Sequence, residues 1–335
     1  MSFISLDIGS NSIKIVQLGK KDNKFRLISV GQIATPNLGM ASEAEHDLVV
    51  IAEAIKKLRT ESKIAPIQVV VSLPESFVFT RVIDLPAMSE EEIGQALKWE
   101  LEEIVPIPLN EANFDWQIVG QELTKVSVLV AVAPNTLISK YLHVLELAQL
   151  QPIVFETEVL AVCRALNFIS PGESKLLVDI GARSTNIIAL SGKEVVLTRS
   201  IPTAGQALSR AVANGLGLDP EVAEEYKKTY GILPDQLEGK VAETITPILE
   251  VIESEIIKTI NFVKEKQKGS IEMIVLSGGS SNLPGLSGEI TKKIGLEVQL
   301  ANPFSQLTYD QSLTPQLMKL APAFVVAVGL AMREG

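Results

Sequence analysis

Cysteine, histidine and aromatic residues are scarce in this sequence. The one cysteine, Cys163, excludes an internal disulfide and suits a reducing compartment. Its apolar surroundings in VLAVCRAL predict a small packed hydrophobe rather than a nucleophile. The two histidines, His46 and His143, are far apart and lack Cys or His companions at metal-binding spacing. These residues therefore indicate neither a disulfide-stapled domain nor a zinc site.

Excess positive charge and long hydrophobic runs are also lacking. The net charge is −10 with no block of basic residues, which argues against broad contact with nucleic acid. The longest near-continuous apolar run, 321–332, contains Pro322 and is shorter than a membrane span, so it predicts a buried closing helix. Asp7 interrupts the first apolar stretch and no basic region precedes it, so we expect no signal peptide.

One short segment is present nearly twice. SLDIGSNSIKIVQLG spans residues 5–19, and LVDIGARSTNIIALSG spans residues 177–192. Asp7 and Asp179 stand 172 positions apart, and Gly9 and Gly181 match at the same offset. Each copy has the pattern of a buried strand, a turn rich in hydroxyl groups and a second strand. The repeat predicts two equivalent half-chains.

Hydrophobic periodicity predicts an α/β chain of two lobes, since 335 residues of which 46% are hydrophobic can bury two sheets. Helical spacing is clear in Leu48, Ile51, Ile55 and Leu58, and again in a long helix over 241–266. Between the two repeats the pattern is strand, helix, strand, strand, helix, which predicts a small inserted α+β module. Its first helix opens with a capping-box signature, Ser89 and Glu92. Its two tryptophans, Trp99 and Trp116, are predicted to be buried by aromatic packing.

The chemistry of one repeat is that of a phosphate-binding turn. A carboxylate at the end of a buried strand, as Asp7 is, can hold Mg²⁺ through water. The glycine that follows lets the backbone approach a ligand without a Cβ in the way. Hydroxyl, amide and backbone N–H donors come next, and Lys14 adds a positive charge. These donors are Ser10, Asn11 and Ser12.

A single Asp-Ile-Gly is a weak signal, but two copies in equivalent places can grip a polyphosphate from both sides with one cation between their carboxylates. The alternative is a duplicated hairpin with a purely structural role. A third segment, LSGGSSNLPGL, places Gly278 and Gly279 between a buried strand and a helix, where a glycine turn exposes N–H groups to an anionic ligand. Together the three segments predict a nucleotide site.

These motifs resemble those of the superfamily of actin, the sugar kinases and the DnaK-type chaperone ATPases, over essentially the whole chain. The resemblance implies an actin-like ATPase fold, with two lobes of duplicated ribonuclease-H-like domains, and it implies ATP and Mg²⁺ as cofactors. Asp7 and Asp179 would hold the metal through water, and Glu158 in ETEVLAVCRAL would lie near the γ-phosphate as the candidate catalytic residue. The implied nucleotide-binding positions are Asp7, Gly9, Ser10, Asn11, Ser12, Lys14, Asp179, Gly181, Ala182, Arg183, Ser184, Thr185, Gly205, Glu224, Lys227, Gly278, Gly279, Ser280 and Asn282.

Within that superfamily the sequence is similar to the PilM family of type IV pilus assembly proteins, which is related to the division protein FtsA. FTRVIDLP and ALKWELEEIVPIPLNEANFDW lie in an insertion placed as in FtsA and PilM, and the chain stops at GLAMREG without the membrane tail expected of FtsA. The resemblance implies a cytoplasmic ATP-binding platform at the inner face of the membrane. It would bind the N-terminal tail of a PilN-like inner-membrane protein, and would meet the membrane only through that partner.

The same resemblance implies four subdomains. Residues 1–75, 153–172 and 321–335 would form the first lobe, and residues 76–152 the inserted module. Residues 173–207 and 271–320 would form the core of the second lobe, and residues 208–270 a helical subdomain. A partner groove would lie between the first lobe and the module.

Two departures from the superfamily pattern bear on activity. Ala182 and Arg183 stand where many members have small glycines, and the second connecting segment has Ala204-Gly205 in place of a glycine pair and Ser209 in place of threonine. We therefore expect binding with at most slow hydrolysis. Two other functions remain open: a filament-forming ATPase like FtsA and the bacterial actins, with self-association, and a sugar or acid kinase, for which no acceptor carboxylate is evident.

Overall fold

The computed structural model describes residues 3–22, 24–36, 39–169, 174–192, 194–266 and 270–333. The predicted subdomains also include residues 1, 2, 23, 37, 38, 170–173, 193, 267–269, 334 and 335, which lie outside this part of the chain. The strands are β1 (Phe3–Ile8), β2 (Ser12–Lys21), β3 (Lys24–Ala34), β4 (Gln68–Leu73), β5 (Phe79–Pro86), β6 (Ala112–Gln121), β7 (Lys125–Pro134), β8 (Gln151–Thr157), β9 (Lys175–Ile180), β10 (Thr185–Ser191), β11 (Glu194–Ile201), β12 (Met273–Ser277) and β13 (Glu297–Leu300). The helices are α1 (Glu45–Glu61), α2 (Glu90–Ile104), α3 (Asn135–Leu147), α4 (Glu158–Ile169), α5 (Gly205–Leu216), α6 (Pro220–Tyr230), α7 (Lys240–Glu265), α8 (Leu286–Ile294), α9 (Thr314–Leu320) and α10 (Val325–Ala331).

The repeated segment forms the same hairpin in two equivalent five-stranded sheets. The first sheet has the order β3-β2-β1-β4-β8, and the second has the order β11-β10-β9-β12-β13. In both, the repeat supplies the antiparallel pair (β1 with β2, β9 with β10), and the central strand then pairs in parallel with β4 or β12. Nearly every residue of β1 and β9 is buried, because helices cover both faces of each sheet.

Helices pack on the sheets as their apolar stripes predict. Leu48, Ile51, Ile55 and Leu58 of α1 are all buried against the first sheet. The apolar side of α7 packs with α5 and α8 on one face of the second sheet. Helices α4 and α10 lie between the two sheets, since their residues share one cluster with Val70 of β4 and Leu177 of β9. The predicted duplicated α/β fold with an inserted module is therefore confirmed.

The inserted module is a three-stranded sheet, β5-β7-β6, covered by α2. The predicted capping box is present, because Ser89 Oγ accepts from Glu92 N while the Glu92 side chain accepts from Ser89 N. Trp116 is partly buried against the module core. The prediction for Trp99 is wrong: its side chain is 75% exposed, because it lies on the side of α2 opposite the sheet.

Helix α3 packs with the first lobe. Its residues Leu137, Tyr141 and Val144 belong to the same buried cluster as α1. The module limits drawn from the sequence, 76–152, include α3, which also contacts β7. All of the subdomain limits stay predictions.

The C-terminal helices form a longer helical stretch than the apolar run 321–332 suggests. Within the described residues, Gln311–Ala331 is long and apolar enough to cross a membrane by length and composition, and 56% of its 18-residue apolar window is buried. Every residue of α10 is buried. The apolar composition of α10 is thus that of a core helix, as the sequence predicts.

Candidate functional site

Asp7 lies at the end of β1, where two neighbouring strands hold its carboxylate. Lys14, its register partner on β2, donates from Nζ to Asp7 Oδ2 at 3.0 Å. From the other side, Ser72 on β4 donates from Oγ to Asp7 Oδ1 at 3.0 Å. The carboxylate is buried and has a cation and a hydroxyl as partners, so its position is fixed before any ligand arrives.

Asp179 occupies the equivalent place in the second sheet. Ser277, its register partner on β12, donates from Oγ to Asp179 Oδ1 at 2.7 Å. Burial raises the pKa of Asp179 and the negative charge of Asp7 adds to this rise, although the hydrogen bond from Ser277 opposes it. The two carboxylates line the same cleft from opposite lobes, so their negative charges repel each other. A divalent cation between them would relieve that repulsion.

The glycine of each hairpin is required by the close return of the chain. A Cβ on Gly9 would lie 2.9 Å from Ser12 O, and one on Gly181 would lie 3.0 Å from Ser184 O. Gly181 N also donates to Ser184 O at 3.0 Å, which closes the second turn. The two turns therefore have the same geometry, as the repeated sequence predicts.

The glycine pair of the third segment has two different roles. Gly278 has φ +85, and a Cβ there would lie 2.4 Å from Ile180 O, so this position needs glycine for the fold. A Cβ on Gly279 would meet nothing within 4 Å, because this residue faces the open cleft. Ser280 Oγ donates to Gly181 O at 2.9 Å and so joins the third segment to the second hairpin.

Glu158 is the first residue of α4, at the base of the cleft, and it is held from the opposite lobe. Asn186 Nδ2 on β10 donates to Glu158 Oε2 at 3.0 Å, and Ser200 Oγ on β11 donates to Asn186 Oδ1 at 2.8 Å. Burial raises the pKa of Glu158 well above its usual range, and the charges of Asp7, Asp179 and Glu75 add to this rise. Burial and these neighbouring charges therefore favour the neutral form of Glu158 in the absence of ligand.

Glu224 and Lys227 lie one turn apart on α6 at the far end of the cleft. Lys227 is 5% exposed, and its Nζ donates to Glu224 Oε2 at 2.6 Å, to Ser209 Oγ at 2.9 Å and to Gly205 O at 3.1 Å. Burial lowers the pKa of Lys227. Burial would raise the pKa of Glu224, but hydrogen bonds from Lys227 and Ser209 outweigh it and the pKa is lowered. The pair closes one end of the cleft with charged and hydroxyl groups.

The residues predicted for the site, with one exception, line one cleft of about 650 Å³ between the lobes. Thr185 is the exception among the predicted positions, because it is fully buried and its Oγ1 donates to Thr203 O at 2.7 Å. The predicted residues that line the cleft are Asp7, Gly9, Ser10, Asn11, Ser12, Lys14, Glu158, Asp179, Gly181, Ala182, Arg183, Ser184, Gly205, Glu224, Lys227, Gly278, Gly279, Ser280 and Asn282.

Sequence reasoning missed several residues of this site. Ser72 and Ser277 hold the two carboxylates in the same way, but they stand 205 positions apart rather than 172, so alignment at the offset of the hairpins does not pair them. A serine that follows an apolar strand, in VVVSLP and in IVLSGG, is the signal that could have found them. Asn186 and Tyr141 have no such signal.

A magnesium ion would depend on the two aspartates together with phosphate and water. Within the residues that the structure describes, no group of three or more His, Cys, Asp or Glu side chains could hold a metal ion. Two carboxylates at the rim of a phosphate cradle suit Mg²⁺, which keeps several waters and binds through one or two carboxylates and a substrate phosphate. The residues present therefore fit a magnesium–nucleotide.

The model of the family described as type IV pilus assembly protein PilM matches residues 5–335. The chain belongs to the PilM family. A solved structure described as a PilM–PilN type IV pilus biogenesis complex is similar over 99% of this chain and 98% of that chain, with a TM-score of 0.88 and 29% identity. The assignment to type IV pilus assembly rests on these two matches.

More distant relatives agree with this fold. The cell division protein FtsA of Bacillus subtilis (strain 168) is 22% identical over 90% of this chain and 78% of its own length. The ethanolamine utilization protein EutJ of Carboxydothermus hydrogenoformans covers 98% of this chain and 88% of its own, with a TM-score of 0.59 and 16% identity. MreB5 of Spiroplasma citri, solved with ADP, is similar over 98% of this chain and 94% of its own, with a TM-score of 0.53 and 14% identity. These likenesses show the actin-like ATPase fold.

Proposed function

We propose that this PilM-family protein is a cytoplasmic platform that binds ATP with Mg²⁺ in the cleft. In that state it holds the N-terminal tail of a PilN-like inner-membrane protein during assembly of a type IV pilus or a related secretion machine. The observation that carries the proposal is the pairing of two equivalent hairpins, one from each lobe, whose carboxylates Asp7 and Asp179 line a single cleft.

The binding of the triphosphate follows from the donors on this cleft. Apart from the Gly181 N–H, which closes the second turn, backbone N–H groups and hydroxyls of the turns at residues 9–12 and 181–184 would contact its oxygens, and Lys14 would add a positive charge. Gly279 leaves room for the ligand because no protein atom lies within 4 Å of the position that its Cβ would occupy. At the other end, Glu224 and Lys227 offer charged groups to the ribose and base. Bound Mg²⁺ supplies charge neutralisation between the phosphates and the two aspartates.

Slow turnover is expected because the candidate base is a poor proton acceptor. Burial raises the pKa of Glu158 and so favours its protonated form, and Glu158 Oε2 already accepts a hydrogen bond from Asn186 Nδ2. Arg183 replaces a small residue of the second phosphate turn. These features favour a nucleotide-dependent binding platform over an efficient ATPase.

Lobe closure would reach the inserted module by two connections. The segment after β4 lines the cleft with Pro74, Ser76 and Phe77 and then continues into β5 of the module. On the second lobe, Thr198 Oγ1 of β11 donates to Thr80 O of β5 at 3.4 Å. Nucleotide that draws the lobes together would thus shift the module, and it needs a preference of only ~1–3 kcal/mol for one arrangement to act as a switch.

The partner tail would contact exposed apolar surface in the segment that connects β4 to β5 of the module. Phe77 lines the cleft and is 46% exposed, so apolar surface is open where the chain enters the module. The similar structure described as a PilM–PilN complex supports PilN as the kind of partner. A tail with apolar side chains would cover Phe77 and remove that surface from water.

Calorimetric titration with ATP, with and without Mg²⁺, tests the nucleotide proposal. We expect the wild type to bind only with Mg²⁺, and Asp7→Asn and Asp179→Asn to lose that binding. The exposed Asp235→Asn removes the same charge from the second lobe outside the cleft and should bind as the wild type does. Equal binding by all four proteins contradicts the proposal.

Capture of a synthetic N-terminal PilN tail tests the partner proposal. The wild type should retain the tail more strongly with Mg²⁺-ATP than without, and Phe77→Ser should retain less. If Asp7→Asn loses the ATP effect but keeps basal capture, the coupling runs through the cleft. No capture under either condition contradicts the partner proposal and leaves ATP binding intact.

A further inference from the structure

The outer side of α2 is a helix face without a partner. We define the Trp99 face as Gln95, Trp99, Glu102 and Glu103, which lie on one side of the helix at spacings of three and four residues. All four are exposed, and Trp99 is exposed to 75%. Tryptophan is a residue type enriched at binding hot spots, so an exposed tryptophan beside unpaired charges makes this face a candidate contact surface.

The orientation of this face is fixed by the rest of the module. Ile93, Leu97 and Leu101 on the opposite side of α2 are fully buried against the sheet. The capping box at Ser89 and Glu92 fixes the first turn. Trp99 therefore cannot turn into the core without unfolding the helix.

The charge around Trp99 is strongly acidic and unbalanced. Helix α2 carries six glutamates and one lysine, Lys98. In the part of the chain that the structure describes, the side chains of Glu102 and Glu103 form no ion pair, whereas glutamates on α1, α6 and α7 do. The face thus presents an aromatic ring next to two free carboxylates.

We propose that the Trp99 face binds an arginine-bearing basic peptide segment. The guanidinium group stacks on an indole ring and pairs with carboxylates at its edge, and tryptophan and arginine are the residues most enriched at binding hot spots. We assign this segment to the basic stretch that borders a membrane-spanning helix of an inner-membrane partner. Cytoplasmic flanks of such helices are rich in Lys and Arg. This source rests on the proposed function.

A membrane surface fits the Trp99 face less well than a basic peptide does. The cytoplasmic leaflet carries negative charge, and an acidic face is repelled by it. The proposed segment also differs from the tail that would cover Phe77, because its recognition depends on charge and therefore on ionic strength.

Tryptophan fluorescence tests the proposal directly, since Trp99 and Trp116 are the two tryptophans of the chain. Trp116→Phe leaves Trp99 as the single reporter. We expect a short arginine-rich peptide to change its emission saturably, the lysine counterpart to do so more weakly, and the glutamate counterpart to have no effect. Added salt should weaken the response.

Anisotropy of a labelled arginine peptide gives a second readout that does not need the Trp116 variant. Trp99→Ala should weaken binding about tenfold or more, and the double variant Glu102→Gln/Glu103→Gln should weaken it as well. Glu243→Gln/Glu265→Gln removes two exposed charges from α7 instead and should leave affinity unchanged. Asp7→Asn should keep peptide binding, so this test stands apart from that of the nucleotide site.

Four results overturn the proposal. They are the absence of saturable binding to the wild type; equal affinity of the α2 and α7 double variants; a change of Trp99 emission with anionic phosphatidylserine vesicles but not with peptide; and a change of emission with protein concentration alone. The last two would assign the face to a membrane or to a second copy of the chain. Thermal unfolding of each variant checks that it is folded.

Discussion

Adding a methyl group at Gly279 tests whether the nucleotide binds against this side of the cleft. A Cβ there meets no protein atom within 4 Å, and the residue does not have positive φ, so Gly279→Ala should fold normally. The methyl group would stand where the phosphates are proposed to bind. We expect ATP affinity to fall about tenfold, the effect of a clash costing about 1–3 kcal/mol.

Calorimetry on the variant and thermal unfolding without nucleotide check this prediction. Gly288→Ala is the matched control, because it also meets nothing within 4 Å but lies on α8 outside the cleft. Its ATP affinity should equal that of the wild type. Unchanged affinity in Gly279→Ala would show that the ligand does not approach this glycine.

Glu75 should make the stability of the free protein depend on pH. Burial raises the pKa of Glu75 from 4.5 to about 7. Between these two values the folded protein holds a proton that the unfolded chain has lost, so the free energy of unfolding falls as pH rises through this window. Glu75→Gln removes the titration and should stabilise the protein at about pH 8, on the order of a few kcal/mol, but not at about pH 5.

Denaturant unfolding with a chelator and no nucleotide, at both pH values, measures this difference. The exposed Glu243→Gln should follow the wild type at each pH. A Glu75→Gln variant that parallels the wild type across the window would show that Glu75 is already ionised in the folded state.

The environment of a single side chain was the property that was hardest to predict from the sequence. The repeat indicated the carboxylates and glycines of the cleft, because a strand ends where its apolar run ends. The family resemblance also implied Thr185, but this residue is fully buried and its Oγ1 donates to Thr203 O. Alternation along a strand sends neighbours to opposite faces, and the sequence alone did not say which face of β10 meets the cleft.

At the scale of elements, the capping box of α2 gives a prediction about the module. Ser89 Oγ accepts from Glu92 N, and Ser89→Ala would leave that N–H to water. We expect a loss of about 1 kcal/mol, the usual value for such caps. Hydrogen exchange of the α2 amides reports it even if the module opens separately from the lobes.

Ser254→Ala on the exposed side of α7 is the matched control. It is in a helix interior, where alanine is favoured by a few tenths of a kcal/mol, so α7 should exchange no faster. Equal exchange of α2 in the Ser89 variant and the wild type would mean that packing of Ile93, Leu97 and Leu101 alone fixes this helix.

The existence and order of the elements could be predicted because their patterns are local. Period-two and helical spacings, the capping box and the stops at proline are all set by neighbours in the chain. The grouping of α3 could not be predicted. Its apolar stripe fits either the module or the first lobe, and only the tertiary structure shows that it packs with α1.

At the scale of the whole molecule, α4 and α10 form the helical layer that lies between the two sheets. A Cβ on Gly329 would lie 1.9 Å from Ala161 O, so the two helices meet at backbone distance between the sheets. Gly329→Ala must force them apart and should reduce the free energy of unfolding by about 2 kcal/mol or more.

Thermal unfolding measures this effect, with Gly94→Ala as the matched control. There a Cβ would lie 3.9 Å from Trp116 Nε1, an ordinary contact within a helix, and alanine should not destabilise. Wild-type stability in Gly329→Ala would show that α4 and α10 can separate at this contact without cost.

The sequence by itself determined the duplicated α/β architecture and the chemistry of the two phosphate turns, because hydrophobic period and turn composition act over a few residues. Only the tertiary structure decided which groups meet. Ser72 and Ser277 reach the aspartates, Asn186 crosses from one lobe to Glu158, and Trp99 stays in water. Such contacts join residues far apart in the chain, and they depend on how sheets and helices pack, which no local pattern encodes.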